Sequence, residues 1–290
     1  MSTPPRIAWL GTGLMGAPMA RNTSAAGADV TVWNRTAAKA APLAEHGLGV
    51  VGSALEAAQG RDLLVTMLAD ADAVVAALGE GAVLAALAED AVWIQMSTVG
   101  VDGCDRLAAQ AREHEVAFVD APVSGTRQPA EAGELAVLAA GPAGLRDRCA
   151  VVLDAVGATT TWYDAVGDAS RLKLVLNAWL LGLLAALADA IRLAELVGVD
   201  PAAFLDTIDG GPLGPAYAQL KGGAMLARSY PAAFPLAMAA KDAGLVQAAV
   251  AEAGAELGVA DAVAALLRRG VDAGHGNDDM AAVVEVLRPA

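Results

Sequence analysis

Lys173 and Asn177 stand four residues apart in the run "SRLKLVLNAWLLGLLAALADA", which is otherwise almost wholly apolar. At that spacing they share one face of a helix, with Ser170 one turn earlier. An ammonium and an amide are costly to bury without partners. Two readings account for them. Lys173 snorkels from the helix end into water, or it faces a cleft between two domains. In a semi-apolar cleft it could protonate a developing alkoxide or, as the amine, take a proton back. Desolvation would lower its pKa and a bound carboxylate would restore it. Asn177 would then hold the lysine or a substrate oxygen.

A second group of residues suits a dinucleotide. "IAWLGTGLMGAPMA" places Gly11, Gly13 and Gly16 in the G-x-G-x-x-G spacing between a strand pattern and a helix pattern. The first glycine permits the tight turn, the second lets the backbone approach a pyrophosphate, and the third lets helix and strand pack closely. The helix start offers its N–H groups to the phosphates. The next strand ends in Asn34, Arg35 and Thr36, where an NAD-selective site carries Asp or Glu about 20 residues after the loop. A carboxylate repels a 2′-phosphate and a guanidinium binds it, so the expected cofactor is NADP(H). A third element, "VDAPVSGT", brings Ser124, Gly125 and Thr126 to a strand end, where N–H and hydroxyl groups could receive a carboxylate. An ordinary strand-ending turn has the same composition.

These residues need a scaffold. Six apolar runs, "RIAWLG", "DVTVWN", "DLLVTML", "AVWIQMST", "VAFVDAPV" and "ELAVLAAG", read as strands. Helical patterns such as 15–26 and 37–45 lie between them, so the first half predicts βαβ units and a parallel sheet covered on both faces. The pattern changes near Trp162, and beyond Ala169 only Ala/Leu-rich helices follow, with starts expected at Asp200-Pro201 and Asn277-Asp278. The predicted fold is α/β: a Rossmann dinucleotide-binding domain over 1–163, then an all-helical substrate and dimerisation domain over 164–290, joined by a long helix.

The totals narrow the partners. The chain has 290 residues, 56% hydrophobic and 18% charged, which suits a folded globular protein. Its formal net charge of −14 opposes nucleic acid and anionic membrane as partners. Cys104 and Cys149 have neither metal-ligand nor disulfide-framework spacing, as expected of reduced thiols in the cytoplasm. "MSTPPRIAWLG" does not read as a signal peptide. The uncharged stretch 174–188 is about 15 residues, shorter than the roughly 20 that a spanning helix needs, so a core helix is expected.

Taken in order, "GTGLMG", "DAPVSGT", "KLVLN" and "AFPLAMAAKDAGL" resemble the β-hydroxyacid dehydrogenase family over nearly the whole chain. The longer runs look most like its glyoxylate/succinic semialdehyde reductase branch, which prefers NADPH. The resemblance implies Lys173 as the catalytic lysine and Asn177 as its companion. Ser124, Gly125 and Thr126 would be the substrate-carboxylate turn, with Phe234 and Asp242 closing the site. Gly11, Thr12, Gly13, Leu14, Met15 and Gly16 would hold the cofactor, with Asn34, Arg35, Thr36, Leu68, Ala69, Thr98 beside the nicotinamide, and Lys241. Two residues depart from the pattern. Trp9 stands where Phe is commoner, a matter of packing, and Trp179 stands where relatives carry smaller or flexible aliphatic residues.

The implied activity is NADPH-dependent reduction of a small carboxylate-bearing carbonyl, succinic semialdehyde or glyoxylate. Oxidation of 3-hydroxyisobutyrate is the reverse-direction alternative. An imine reductase shares the architecture but usually carries Asp or Tyr in place of the lysine. A non-catalytic NADP-binding scaffold, as in chromatin relatives, lacks the lysine as well. The family commonly forms homodimers or homotetramers through its helical half.

Overall fold

A computed structural model describes residues 4–288. The chain divides into two units, the first ending at Lys173 and the second beginning at Leu174. The boundary falls inside one continuous helix, Asp168–Val197.

The first unit is built on nine strands: β1 (Arg6–Leu10), β2 (Asp29–Trp33), β3 (Gly49–Val50), β4 (Leu63–Thr66), β5 (Val92–Gln95), β6 (Ala117–Asp120), β7 (Val123–Ser124), β8 (Leu135–Ala140) and β9 (Gly157–Tyr163). The order β3-β2-β1-β4-β5-β6 is parallel throughout. It is the doubly wound order, with its switch point between β1 and β4. The central strands are buried on both faces: β4 and β5 have no exposed residue. Ile7, Trp9 and Val65 belong to one apolar layer, Ala8, Leu10 and Leu64 to the other.

The sheet is mixed rather than wholly parallel as expected. β8 runs antiparallel to β6 and β7. The link from Gly125 to Glu134 holds only a short helix, Arg127–Ala132, too little chain for a parallel crossover. Pro122, which has no N–H, parts β6 from β7 within the single run expected there. β9 was missed because "GATTTWY" is half exposed and carries no apolar run; it pairs parallel with β8 after the helix Arg146–Val156. The helix expected over 37–45 is α-helical only to Ala40, then tightens into a 3₁₀ segment, Ala41–His46, with Pro42 in its first turn.

Among its described residues the second unit's elements are all helices, apart from an isolated bridge between Pro235 and Asp279. Leu181, Leu184, Leu187 and Ile191 of the long helix pack with Met225, Leu236, Leu267, Met280 and Val283. This helix corrects the length argument. It runs for 30 residues at a mean hydropathy of 2.0 in its most apolar window, enough to cross a membrane by length and composition alone. It outruns the uncharged stretch because Asp189, Arg192 and Glu195 continue its last turns. Asp200 caps Pro201–Ile208, as expected, accepting from the Ala202 N–H at 2.9 Å. The expected start at Asn277-Asp278 is displaced: Asp279 is the cap, and the 3₁₀ helix Met280–Leu287 follows it.

Asp279 does more than cap. Its oxygens lie 2.7 and 2.9 Å from Lys221 Nζ, and they also accept from the N–H groups of Ala233, Phe234 and Ala281. Both charged side chains are buried. Removing one member of a buried pair leaves the other uncompensated. Lys221→Met is therefore expected to cost about 3–5 kcal/mol in denaturant unfolding, and Lys221→Met/Asp279→Leu less than Lys221→Met alone.

Candidate active site

Strand register assembles the first half of the site. Leu10 pairs with Trp33 and Thr66, Thr66 with Gln95, and Gln95 with Asp120. Five strand ends thus form one row, and the candidate residues 11–16, 34–36, 68–69, 98 and 124–126 all follow it. Ligands of open α/β sheets bind at this carboxyl edge.

The glycine loop leaves no room for larger residues at two positions. Gly11 has φ +104°, and a Cβ there would lie 2.2 Å from the Met67 carbonyl oxygen. A Cβ on Gly16 would lie 2.1 Å from the Gly11 carbonyl oxygen, which the buried Trp9 indole N–H already satisfies at 3.1 Å. Trp9 therefore holds the turn as well as packing. Around Gly13 nothing lies within 4 Å of a Cβ position, leaving the backbone open to a ligand. Leu14 and Met15 are half-buried. The hydroxyl of Thr12 is buried and has no hydrogen-bond partner.

Asn34 braces the loop. Its Oδ1 accepts from the Thr12 N–H and its Nδ2 donates to the Thr36 carbonyl, both at 3.0 Å. Arg35 and Thr36 stand exposed beyond it. Ser97 went unremarked in the sequence: fully buried, it accepts from the Leu68 N–H at 2.8 Å and so fixes the loop bearing Leu68 and Ala69. Gln95 accepts in turn from the Ser97 N–H at 2.7 Å. The only sequence signal was polar residues inside the apolar run "AVWIQMST". Thr98 follows, half-buried.

Ser124 closes β7, and Gly125 turns the chain at φ +137°, where a Cβ would press on Leu135 at 2.6 Å. Thr126 then precedes the short helix. At the end of β6, Asp120 is wholly buried and accepts from both the N–H and the hydroxyl of Ser170, each at 2.8 Å. Ser170 thus spends its hydroxyl on anchoring the helix that carries Lys173. Burial pushes the Asp120 carboxyl up to about 6, against the downward pull of Ser170. Burial likewise raises the nearby Cys104 thiol, which is inert as a nucleophile.

Further along that helix, Lys173 is 8% and Asn177 1% exposed. Trp179, two positions after Asn177 and so near the opposite side of the helix, is 72% exposed. It neither packs in the core nor shares the face of Asn177. In the second unit, Asn177 Nδ2 donates to Asp242 Oδ2 at 2.9 Å, and Lys241 Nζ lies 2.8 Å from Asp242 Oδ1. Phe234, half-buried, sits on the segment that Asp279 pins.

A glycine loop open to a phosphate at the switch point, followed by a long helix bearing a buried lysine and asparagine, suits a nicotinamide-dinucleotide oxidoreductase. The NAD-binding domain of 6-phosphogluconate dehydrogenase matches residues 6–165, and the NAD-binding domain of NADP-dependent 3-hydroxyisobutyrate dehydrogenase matches 167–287. The chain is 34% identical to glyoxylate/succinic semialdehyde reductase 2 (chloroplastic) of Arabidopsis thaliana, over 98% of this chain and 80% of that one. A 3-hydroxyisobutyrate dehydrogenase from Mycobacterium tuberculosis, solved with L-serine, superposes with TM-score 0.83 at 30% identity, covering 99% and 100% of the two chains. An imine reductase from Myxococcus stipitatus, solved with NADP+, gives 0.64 at 27%, covering 98% and 100%. The chain belongs to the 3-hydroxyisobutyrate dehydrogenase-like family of β-hydroxyacid dehydrogenases. It is an NAD(P)-binding dehydrogenase/reductase of the class acting on CH–OH groups.

The loop fits such a dinucleotide: Gly13 is open, and the Thr12 hydroxyl is buried without a partner. Asp120 supplies a test of the anchor beside it. Its folded pKa of about 6 lies above the ordinary 3.8, so its ionised form is the disfavoured one. The site's contribution to stability is therefore largest below pH 3.8 and falls as pH rises through 6. Between pH 5 and 8 the wild type should lose about 1 kcal/mol relative to Asp120→Asn, measured by urea unfolding at both values.

Proposed function

We propose that this enzyme reduces small aldehyde acids of the succinic semialdehyde or glyoxylate kind, drawing on NADPH. The observation that carries the reading is the buried Lys173–Asn177 pair on the helix that Asp120 anchors. The named activity of the Arabidopsis relative supports the substrate class. Arg35, exposed at the end of β2 where no carboxylate stands, supports a 2′-phosphate.

When bound, the dinucleotide supplies a hydride to the carbonyl carbon. Residues 11–16, with Leu68, Ala69 and Thr98, are the residues that would hold and orient it, and the family resemblance adds Lys241 to them. Ser124, Gly125 and Thr126 receive the substrate's carboxylate and so orient its carbonyl, which is a proximity effect. Lys173 delivers a proton to the carbonyl oxygen as charge develops there. The resulting amine regains its proton from water.

The same reading expects a homodimer or homotetramer. Val175, Trp179, Leu193 and Leu196 leave an exposed apolar face on the long helix.

Purified protein assayed for NADPH consumption should turn over succinic semialdehyde or glyoxylate. Oxidation of 3-hydroxyisobutyrate and reduction of a cyclic imine are assayed beside it. Lys173→Ala should lose at least about 100-fold in kcat, the scale of general acid catalysis. Full activity in that variant, or turnover of the imine alone, would sink the proposal. Arg35→Ala should raise the KM for NADPH by about 10-fold or more and leave the KM for NADH nearly unchanged.

A further inference from the structure

Asp242 is 4% exposed; its Oδ2 accepts from the Asn177 amide, and its Oδ1 lies 2.8 Å from the Lys241 ammonium. A carboxylate offers only acceptors, so the part of Asn177 that faces it must be the NH₂. The Asn177 carbonyl oxygen must then point away from Asp242. That oxygen is buried and has no hydrogen-bond partner. Leaving a buried acceptor unsatisfied is unfavourable, and a ligand hydroxyl would relieve it.

We propose that Asp242 is a positioning residue that fixes the amide of Asn177, so that Asn177 meets the ligand as a hydrogen-bond acceptor. This rests on the reduction proposed above and gives Asn177 a direction within it. An amide oxygen cannot donate to a substrate carbonyl, which is itself an acceptor. It can accept from the hydroxyl of the hydroxy-acid product. As hydride reaches carbon, the carbonyl π pair moves onto oxygen, that oxygen takes a proton from Lys173, and the new O–H donates to Asn177 Oδ1. The bond strengthens as the alcohol forms. Asp242 itself makes no contact with an acid substrate's carboxylate, because its charge repels one. Its second contact, to Lys241, ties the lysine to the same carboxylate.

The test compares wild type, Asn177→Ala, Asp242→Asn and the double variant at saturating NADPH, which keeps any effect of Lys241 on cofactor affinity out of the result. Binding of the hydroxy acid to the NADP-loaded protein is measured by calorimetry, and KM and kcat for the aldehyde acid are measured in parallel. Each single variant should weaken the hydroxy acid about 10-fold, the scale of one hydrogen bond, and shift the aldehyde KM less. The double variant should be no worse than the weaker-binding single, because both changes remove the same interaction. Losses that multiply in the double variant would mean that Asp242 acts independently of Asn177. Unchanged hydroxy-acid binding in Asp242→Asn would overturn the inference equally. If Asp242→Asn melts early, Asn177→Ala alone decides: an equal loss for aldehyde and alcohol refutes an acceptor role. Lys173→Ala separates the two claims, since its full activity would defeat the proposed reduction while the calorimetric comparison still reads out Asn177 and Asp242.

Discussion

A buried carboxylate at the end of a strand holds the start of a helix, and much of the site hangs on that contact. Asp120 closes the row of strand ends and accepts from Ser170 through both main chain and side chain. A negative charge at a helix start is favourable, but a fully buried one is expensive, as its raised pKa records. Three residues on from Ser170 the same helix presents Lys173, and four further Asn177, so the angular position of both is set by where Asp120 grips the first turn.

The helical unit uses the same device in a second place. Asp279 gathers Lys221 and the N–H groups ahead of the helix Leu236–Glu252. That helix carries Lys241 and Asp242, and Asp242 reaches Asn177. In each unit a buried carboxylate satisfies backbone donors where an element begins, and candidate site side chains lie one or two turns downstream. Precision in these side chains therefore comes from rigid elements held at their ends, not from mobile loops.

Much of this was legible in the sequence, for identifiable reasons. The six apolar runs became strands because β-branched and aliphatic residues buried on two faces give a continuous signal. The glycine spacing was readable because Gly11 and Gly16 answer to backbone contacts that no side chain tolerates. Polar residues whose partners lie far along the chain were not legible. Ser97 and Leu68 are 29 residues apart, Asp120 and Ser170 50, and Lys221 and Asp279 58. No local periodicity encodes such pairs. β9 escaped for a related reason: its threonines are half exposed at a sheet edge, and only pairing with β8 makes them a strand. Asn34 stands where an NAD-selective site carries its carboxylate, and its amide reaches back to Thr12, a contact visible only once β1 and β2 lie side by side.

The chain's acidity sharpens what these contacts must achieve. With a formal net charge of −14, the protein would repel both a pyrophosphate and a carboxylate at long range. Charges further apart than about 8 Å are largely screened at physiological salt, so what an anion meets on arrival is local. Around the glycine loop that local surface is backbone N–H groups and the exposed Arg35, with no acidic side chain among residues 11–16 or 34–36. At the turn it is Ser124, Gly125 and Thr126, equally free of carboxylates. Asp120 and Asp242 are both engaged: Asp120 accepts from Ser170, and Asp242 accepts from Asn177 with Lys241 beside it. An acidic protein can thus offer an anion a favourable place where backbone N–H groups and hydroxyls, not carboxylates, stand at the glycine loop and at the 124–126 turn, so that these uncommitted groups set the sign of what binds.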